Sequence, residues 1–547
     1  MSENAESFEQ VIDSLATGAR LVSSLTVELP QVALTNIQKM LMSLEKHPPT
    51  PDIYLDVLEQ LRHPLNTVTT ELARLYRDKP LPLTEHRESV FLQVTAVLHK
   101  MSRGYGYCAQ FIKGAPRDSQ DTEFTYYLAL ALHRSLRYAS AFVHEHYYAR
   151  QELPHGIWQE IHRDYHAAEL NDLTGKPVMD ALDSEQSAST CADLYVALLL
   201  VEMANPYSHN AVDQALIHQW AMLWAPLVSI FPVESVLEIP PFIIDLTQDK
   251  PLHPATNSVA SDNARHLDVF GLSARINETR ETLTNQPDSV EVKTLKLGES
   301  SVEHACRLLA KLAAPWGMSA SPRRFRRYSM HGQVKLCSTF EHIHLAISGK
   351  DFKQPGAFEA MHVPDSSILG RGFDIVHPSL TTGKWRPHPV SALPSSEWDV
   401  ANYSTNGFRL FRDLAGSQIA HGQLLLALSQ DNQDNTSPYL LGEARWLMQD
   451  SYESCLVLGV TLFPGTPEAI AVRPEDLLQG SEEVYLRAFM LPALETTKTP
   501  STLILPIGLY RPQRSLKLAQ GSEIFLVTLG HVWQRGLDFE IITYKKR

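Results

Sequence analysis

Five cysteines in 547 residues are too few and too scattered to staple a fold. Cys108, Cys191, Cys306, Cys337 and Cys455 are odd in number and include no Cys-x-x-Cys pair. That excludes a disulfide framework and a structural zinc site, and leaves buried free thiols. Long apolar runs are missing too. The longest, around 194–201, stops at Glu202 and falls short of the ~20 residues of a membrane-spanning helix. The chain begins Met-Ser-Glu-Asn-Ala-Glu, acidic and without an apolar core. Neither a secretory signal nor a membrane span is expected, and the cytoplasm is the expected compartment.

Signatures of catalysis are equally scarce. There is no Gly-x-x-x-x-Gly-Lys-Ser/Thr loop, and Gly370-Arg371-Gly372 lacks a flanking strand and helix. No Gly-x-Ser-x-Gly elbow occurs. His162 and His166 stand four apart on an expected helix, which is metal-ligand spacing. With 23 histidines in the chain, they read instead as satisfied or exposed side chains, as do His144, His146 and His155. His342 and His344 alternate on a possible strand and read as a solvent face. No catalytic residue, metal site or cofactor is assigned, and an enzyme is not expected.

Positive charge is in deficit: 48 Lys and Arg against 62 Asp and Glu give a formal charge of −14. Such a chain repels nucleic-acid polymers and anionic lipid unless its cations are concentrated locally. One segment concentrates them. Arg323-Arg324-Phe325-Arg326-Arg327 puts four arginines in five residues, enough to hold a small anion.

The length calls for two to four domains. Roughly the first 280 residues carry a helical period. From 121 to 150, Leu128, Leu132, Leu136, Ala139 and Val143 recur every three or four residues, with Arg134 and Arg137 off that stripe. Similar patterns cover about 5–24, 31–45, 52–77, 84–113, 154–171, 191–204 and 209–229. Proline-rich joints at 47–51 and 79–82 separate several of them. Residues 239–249 look extended, and 251–264 read as a linker or exposed loop. Helices are again expected at about 268–284 and 302–316.

From Arg323 the texture changes to short runs rich in β-branched and aromatic residues. Strands are expected at 334–337, 399–403, 407–413, 423–429, 439–448, 454–463, 485–490, 502–506 and 515–519, with two more in 523–544. Such spacing suggests a barrel or sandwich. Between 350 and 397 lies a proline-bearing insertion.

Two local patterns stand out within this half. Arg323-x-x-x-Arg327 precedes the first strand, and Asn402-Tyr403-Ser404-Thr405-Asn406-Gly407 lies between two strands. Together they resemble the paired signature of PilZ domains: Arg-x-x-x-Arg entering a β-barrel, then Asp/Asn-x-Ser-x-x-Gly on its surface. The resemblance covers about 320–475 and implies a receptor for cyclic di-GMP with Arg323, Arg327, Asn402, Ser404 and Gly407 at the ligand. The separation of Arg327 from Asn402 is longer than the family pattern. The chemistry suits the residue types. Guanidinium grips phosphate or the O6/N7 edge of guanine with two bonds, and short polar side chains meet the other edges.

These readings give an α+β multidomain chain: an all-α helical domain over 1–317, a PilZ-like β-barrel over 318–477 with an insertion at about 350–397, and a small β-domain over 478–547, conceivable as a second barrel. The expected function is a cyclic di-GMP receptor that couples ligand binding to a protein partner of the helical region. The alternative is a ligand-independent scaffold with a degenerate PilZ domain.

Overall fold

The computed structural model describes residues 8–25, 29–114, 122–182, 188–233, 242–254, 261–285, 294–318, 326–329, 332–355, 394–428, 439–475, 484–494, 499–521 and 523–547. They fall into two compact units. One is Met1–Arg323 with Met448–Ser451, and the other is Arg324–Leu447 with Tyr452–Arg547. Among the described residues, no helix is long and apolar enough to cross a membrane.

The described residues of the first unit form ten α-helices: α1 (Leu15–Leu25), α2 (Pro30–Lys46), α3 (Pro51–Ala73), α4 (Glu85–Gly114), α5 (Thr122–Ala149), α6 (Ile157–Glu169), α7 (Cys191–Met203), α8 (Ala211–Trp224), α9 (Phe270–Asn285) and α10 (Val302–Trp316). Pro30 and Pro51 stand at the first positions of α2 and α3, where the missing N–H costs nothing. Thr190 and Asp193 form a reciprocal cap at the start of α7, whose residues Leu194–Val201 are all buried. Successive helices pack on one another, α3 on α4 and α4 on α5.

The amphipathic reading of α5 needs correction. Its middle is buried nearly all round, and Arg134, only 2% exposed, lies inside. Its guanidinium is offset there by Glu59 at 3.1 Å, Asp180 at 3.5 Å and the Met179 carbonyl at 2.8 Å. Burial of a charge is tolerable when it is paired in this way.

Among the described residues six short strands join the helices: β1 (Val178–Met179) with β2 (Ala188–Ser189), and a sheet of β3 (Ser229–Pro232), β6 (Ala264–Asp268), β4 (Phe242–Asp245) and β5 (Leu252–Pro254), in that order. Residues 252–254 and 264 were expected to belong to a linker. They pair instead, β5 with β4 and β6 with both β3 and β4.

In the second unit come β7 (Tyr328–Ser329), β8 (Gln333–Cys337), α11 (Phe340–Ser348), β9 (Ser396–Ser404), β10 (Gly407–Asp413), β11 (Leu424–Leu428), β12 (Tyr439–Asp450) and β13 (Cys455–Leu462). Their order is β10-β13-β12-β11-β8-β9-β7, and a further pairing of β10 with β9 closes six of them into a ring. The rest, β14 (Glu468–Pro474), β15 (Leu486–Leu491), β16 (Thr502–Pro506), β17 (Ser515–Gln520), β18 (Glu523–Arg535) and β19 (Phe539–Lys546), form a closed barrel. This barrel starts at Glu468, ahead of the expected 478, because β14 pairs with both β15 and β17.

His342 and His344 lie on α11, not on a strand. Thr339 Oγ1 accepts the His342 N–H at 3.2 Å and Gly349, at φ +66°, ends the helix. His344 is buried and its Nε2 lies 3.3 Å from the Ile470 carbonyl. Helix α11 sits in an apolar core shared by the two rings, with Ile343 and Ala346 packed among Leu424, Leu426, Phe489, Ile504 and Phe539. Backbone bonds add to it: the Leu537 N–H donates to the Gly422 carbonyl at 2.7 Å, and Asp538 Oδ1 accepts the Leu424 N–H at 2.9 Å. Of the expected 350–397 insertion, residues 356–393 lie outside the described residues.

Candidate functional site

The Asn-x-Ser-x-x-Gly segment is the tip of the β9–β10 hairpin. Ser404 pairs with Gly407, Tyr403 with Phe408 and Asn402 with Arg409, so Thr405 and Asn406 alone make the turn. The Ser404 hydroxyl lies 2.8 Å from Asn406 Oδ1 and holds that turn. Among the described residues the Asn402 side-chain amide has no partner, which leaves its donors and acceptor available.

Gly407 has a structural reason of its own. A Cβ there would stand 2.1 Å from the Val460 carbonyl oxygen on β13. Its φ is negative, so close approach of two strands, and not a left-handed turn, demands glycine here.

Arg323 lies outside the described residues. Arg326 and Arg327 are described and exposed, and they lead directly into β7. Strand β7 pairs antiparallel with β9: Tyr328 faces Tyr403 and Ser329 faces Asn402. One step further along that register, Arg327 falls beside Ser404. The described part of the arginine segment and the hairpin tip thus meet on neighbouring strands, although more than seventy residues of chain separate them. Arg326 turns the other way, its guanidinium 5.8 Å from the Tyr328 ring.

A β-bulge fixes which side chains share the outer face. The β9–β10 register shifts between Arg409 and Leu410, so Leu410 points into the ring while Arg409 and its partner Asn402 point out. Arg409 also faces Gly459 on β13. Above Gly459 lies the half-buried indole of Trp446, where a Cβ would stand 1.8 Å from Nε1. The Arg409 guanidinium is 5.8 Å from that ring. The face therefore presents a guanidinium, an indole and compact polar groups beside Arg327. Among the described residues neither Arg327 nor Arg409 has a carboxylate partner.

Sequence reasoning did not find Arg409 and Trp446. The glycine at 459, opposite an arginine and beneath an indole, was the available signal, but reading it requires strand partners.

The two histidines at metal-ligand spacing have other partners. His162 is buried, its Nε2 donating to the Lys250 carbonyl at 2.7 Å and its Nδ1 accepting from the Tyr195 hydroxyl at 2.7 Å. Burial lowers its pKa, and neither ring nitrogen is left for a metal. His166 Nδ1 lies 3.1 Å from Glu169.

Fold and face together define a multidomain α+β chain, a helical region followed by two six-stranded β-rings, the first with arginines entering an edge strand beside a polar hairpin. Residues 16–233 match the family model described as "Cyclic-di-GMP receptor FimW, N-terminal domain", and residues 470–546 match "FimW C-terminal beta-barrel domain". The chain is also similar to the cyclic-di-GMP receptor FimW of Pseudomonas aeruginosa, with 23% identity over 497 residues, 83% of this chain and 77% of that protein.

Proposed function

We propose that the chain is a cyclic di-GMP receptor, and that the ligand lies on the outer face where β7 meets the β9–β10 hairpin. The first ring then acts as a PilZ-like domain, with Arg323 and Arg327 as clamps and Asn402, Ser404 and Gly407 forming the opposing turn. Arg409 and Trp446 extend that face. Support for the ligand comes from the name carried by the matched models and the relative. Support for its place comes from the register that sets Ser329 against Asn402 and so brings the arginine segment to the turn.

The chemistry follows from the groups. Arg327 and Arg409 supply planar forks for phosphate oxygens or a guanine edge. The Asn402 amide offers both a donor and an acceptor to a base, and Trp446 supplies a flat apolar surface for stacking. A bound dianion neutralises the crowded arginines at the entry to β7 and so alters what a protein partner of the helical region meets.

In this reading the protein binds and releases its ligand unchanged. Equilibrium dialysis of the full chain against labelled cyclic di-GMP tests it, with unlabelled GTP and GMP as competitors and chromatography of the recovered ligand. Saturable retention, resistant to both competitors, with intact dinucleotide recovered, is the expected result. No retention would leave the ring a docking module without ligand, and release of linear dinucleotide or GMP would make the protein an enzyme.

A further inference from the structure

The helical unit holds a cavity of about 250 Å³ lined by α3, α4, α5, α8, Arg77 and Leu182, with Glu145 of α5 among the lining residues. Three arginines reach it: Arg62, Arg77 and Arg137. Two of them are already engaged. Arg62 bonds Glu59 at 3.0 Å and Asp180, and Arg77 bonds Glu145 through Nε at 2.9 Å and again through its terminal nitrogen. Arg137 is different. Its nearest described carboxylate oxygen, on Asp180, is 3.9 Å from Nε and is shared with Arg134. Its side chain is 39% exposed, so the fork is reachable from solvent.

Two histidines complete the wall. The His144 and His218 rings lie 3.9 Å apart. His144 is only 7% exposed; its Nδ1 lies 3.3 Å from the Ser140 hydroxyl, and among the described residues its Nε2 has no partner. A buried imidazole nitrogen without a partner costs free energy unless something bonds it. Burial lowers the pKa of both rings, and Arg137 and Arg77 lower it further, so both are neutral and act through hydrogen bonds, not charge. The Nδ1 contact with Ser140 fits either tautomer, so Nε2 either donates or accepts.

An incompletely paired guanidinium, a second guanidinium and a buried unpartnered imidazole therefore line one cavity in a chain of net charge −14. From this arrangement we infer that the helical unit has a ligand site of its own, for the phosphate group of a small phosphorylated molecule of sugar-phosphate or mononucleotide size. Arg137 grips the phosphate with its terminal nitrogens, Arg77 stands by with its charge offset by Glu145, and His144 Nε2 bonds a phosphate oxygen or hydroxyl. This site is independent of the proposed dinucleotide face.

Inorganic phosphate is the probe. Thermal unfolding of the full chain is followed while phosphate replaces chloride at constant ionic strength. The expected result is a saturable upward shift in Tm. Arg137→Gln, at a half-exposed position, weakens the phosphate dependence by about tenfold or more, whereas Arg137→Lys retains part of it. Arg327→Ala leaves it intact. Equal responses to phosphate and chloride would overturn the inference, as would a phosphate response that survives Arg137→Gln or disappears in Arg327→Ala.

Discussion

Tyr328 stands directly across from Tyr403 on the adjoining strand, the two rings 5.6 Å apart between centroids. That pairing sets the described end of the arginine segment beside the polar hairpin, although a long stretch of chain separates Arg327 from Asn402. The chain between them supplies β8 and α11 and returns as β9, whose far end pairs with β7 while its near end pairs with β8.

Gly407 separates a structural role from a ligand role. In Gly407→Ala the new methyl meets the Val460 carbonyl, and the strands must part at a cost of roughly 1–3 kcal/mol. Ser404→Ala removes only the hydroxyl that holds Asn406. The expected outcome is a lowered melting temperature together with weakened ligand binding for Gly407→Ala, and weakened binding with nearly unchanged melting for Ser404→Ala. Calorimetric melting and ligand titration of both variants check this. Unchanged melting in Gly407→Ala would contradict the packing account.

Trp446 reports on the proposed face. A base that stacks there, or an Arg409 drawn from the indole to a phosphate, changes its emission. Cyclic di-GMP should alter the tryptophan fluorescence of the wild-type chain, and Trp446→Phe should abolish the change despite seven remaining tryptophans. A change that survives Trp446→Phe would place the ligand elsewhere.

Acid should destabilise the helical unit before its carboxylates are titrated. Burial pulls the pKa of His146 and of His218 from 6.5 to about 4, and that of His133 to about 3. The unfolded chain takes up these protons near pH 6.5 while the folded unit refuses them until about pH 4. Stability is thus fully present above 6.5 and is lost as pH falls through that window, on the order of 3 kcal/mol for His146 alone. His144 and His162 act in the same direction. Asp164 and Glu202, raised by burial, oppose them but are fewer. Urea unfolding followed by helical circular dichroism should show the midpoint falling across this range. A flat midpoint would contradict the burial of these rings.

The helices were legible in the sequence because their apolar period and proline joints are local. What α5 hid was non-local: Arg134 looks like a surface residue until Glu59 and Asp180 are seen around it. Helix α11 was misread because alternating His342 and His344 mimic a strand, although the Thr339 cap and Gly349 stop were visible. Strand β7 spans two residues, too few for any period, and β14 ends in a proline that weakens a strand reading. Asn402, Ser404 and Gly407 could be picked out by their turn chemistry. Arg409 and Trp446 could not, since only the ring closure of β9, β10, β12 and β13 brings them to one face.

The most direct test is a calorimetric titration of the full chain with cyclic di-GMP, comparing Arg327→Ala with Arg326→Ala. Arg327 falls beside Ser404 in the strand register, whereas Arg326 lies against the Tyr328 ring on the opposite face. Loss of a charge-assisted bond worth about 1.5–3 kcal/mol lowers affinity roughly ten- to hundredfold. The account predicts that loss for Arg327→Ala and a much smaller one for Arg326→Ala. Equal losses at both positions would reveal a diffuse patch of charge in place of a built site, and an absence of binding by the wild-type chain would contradict the receptor reading itself.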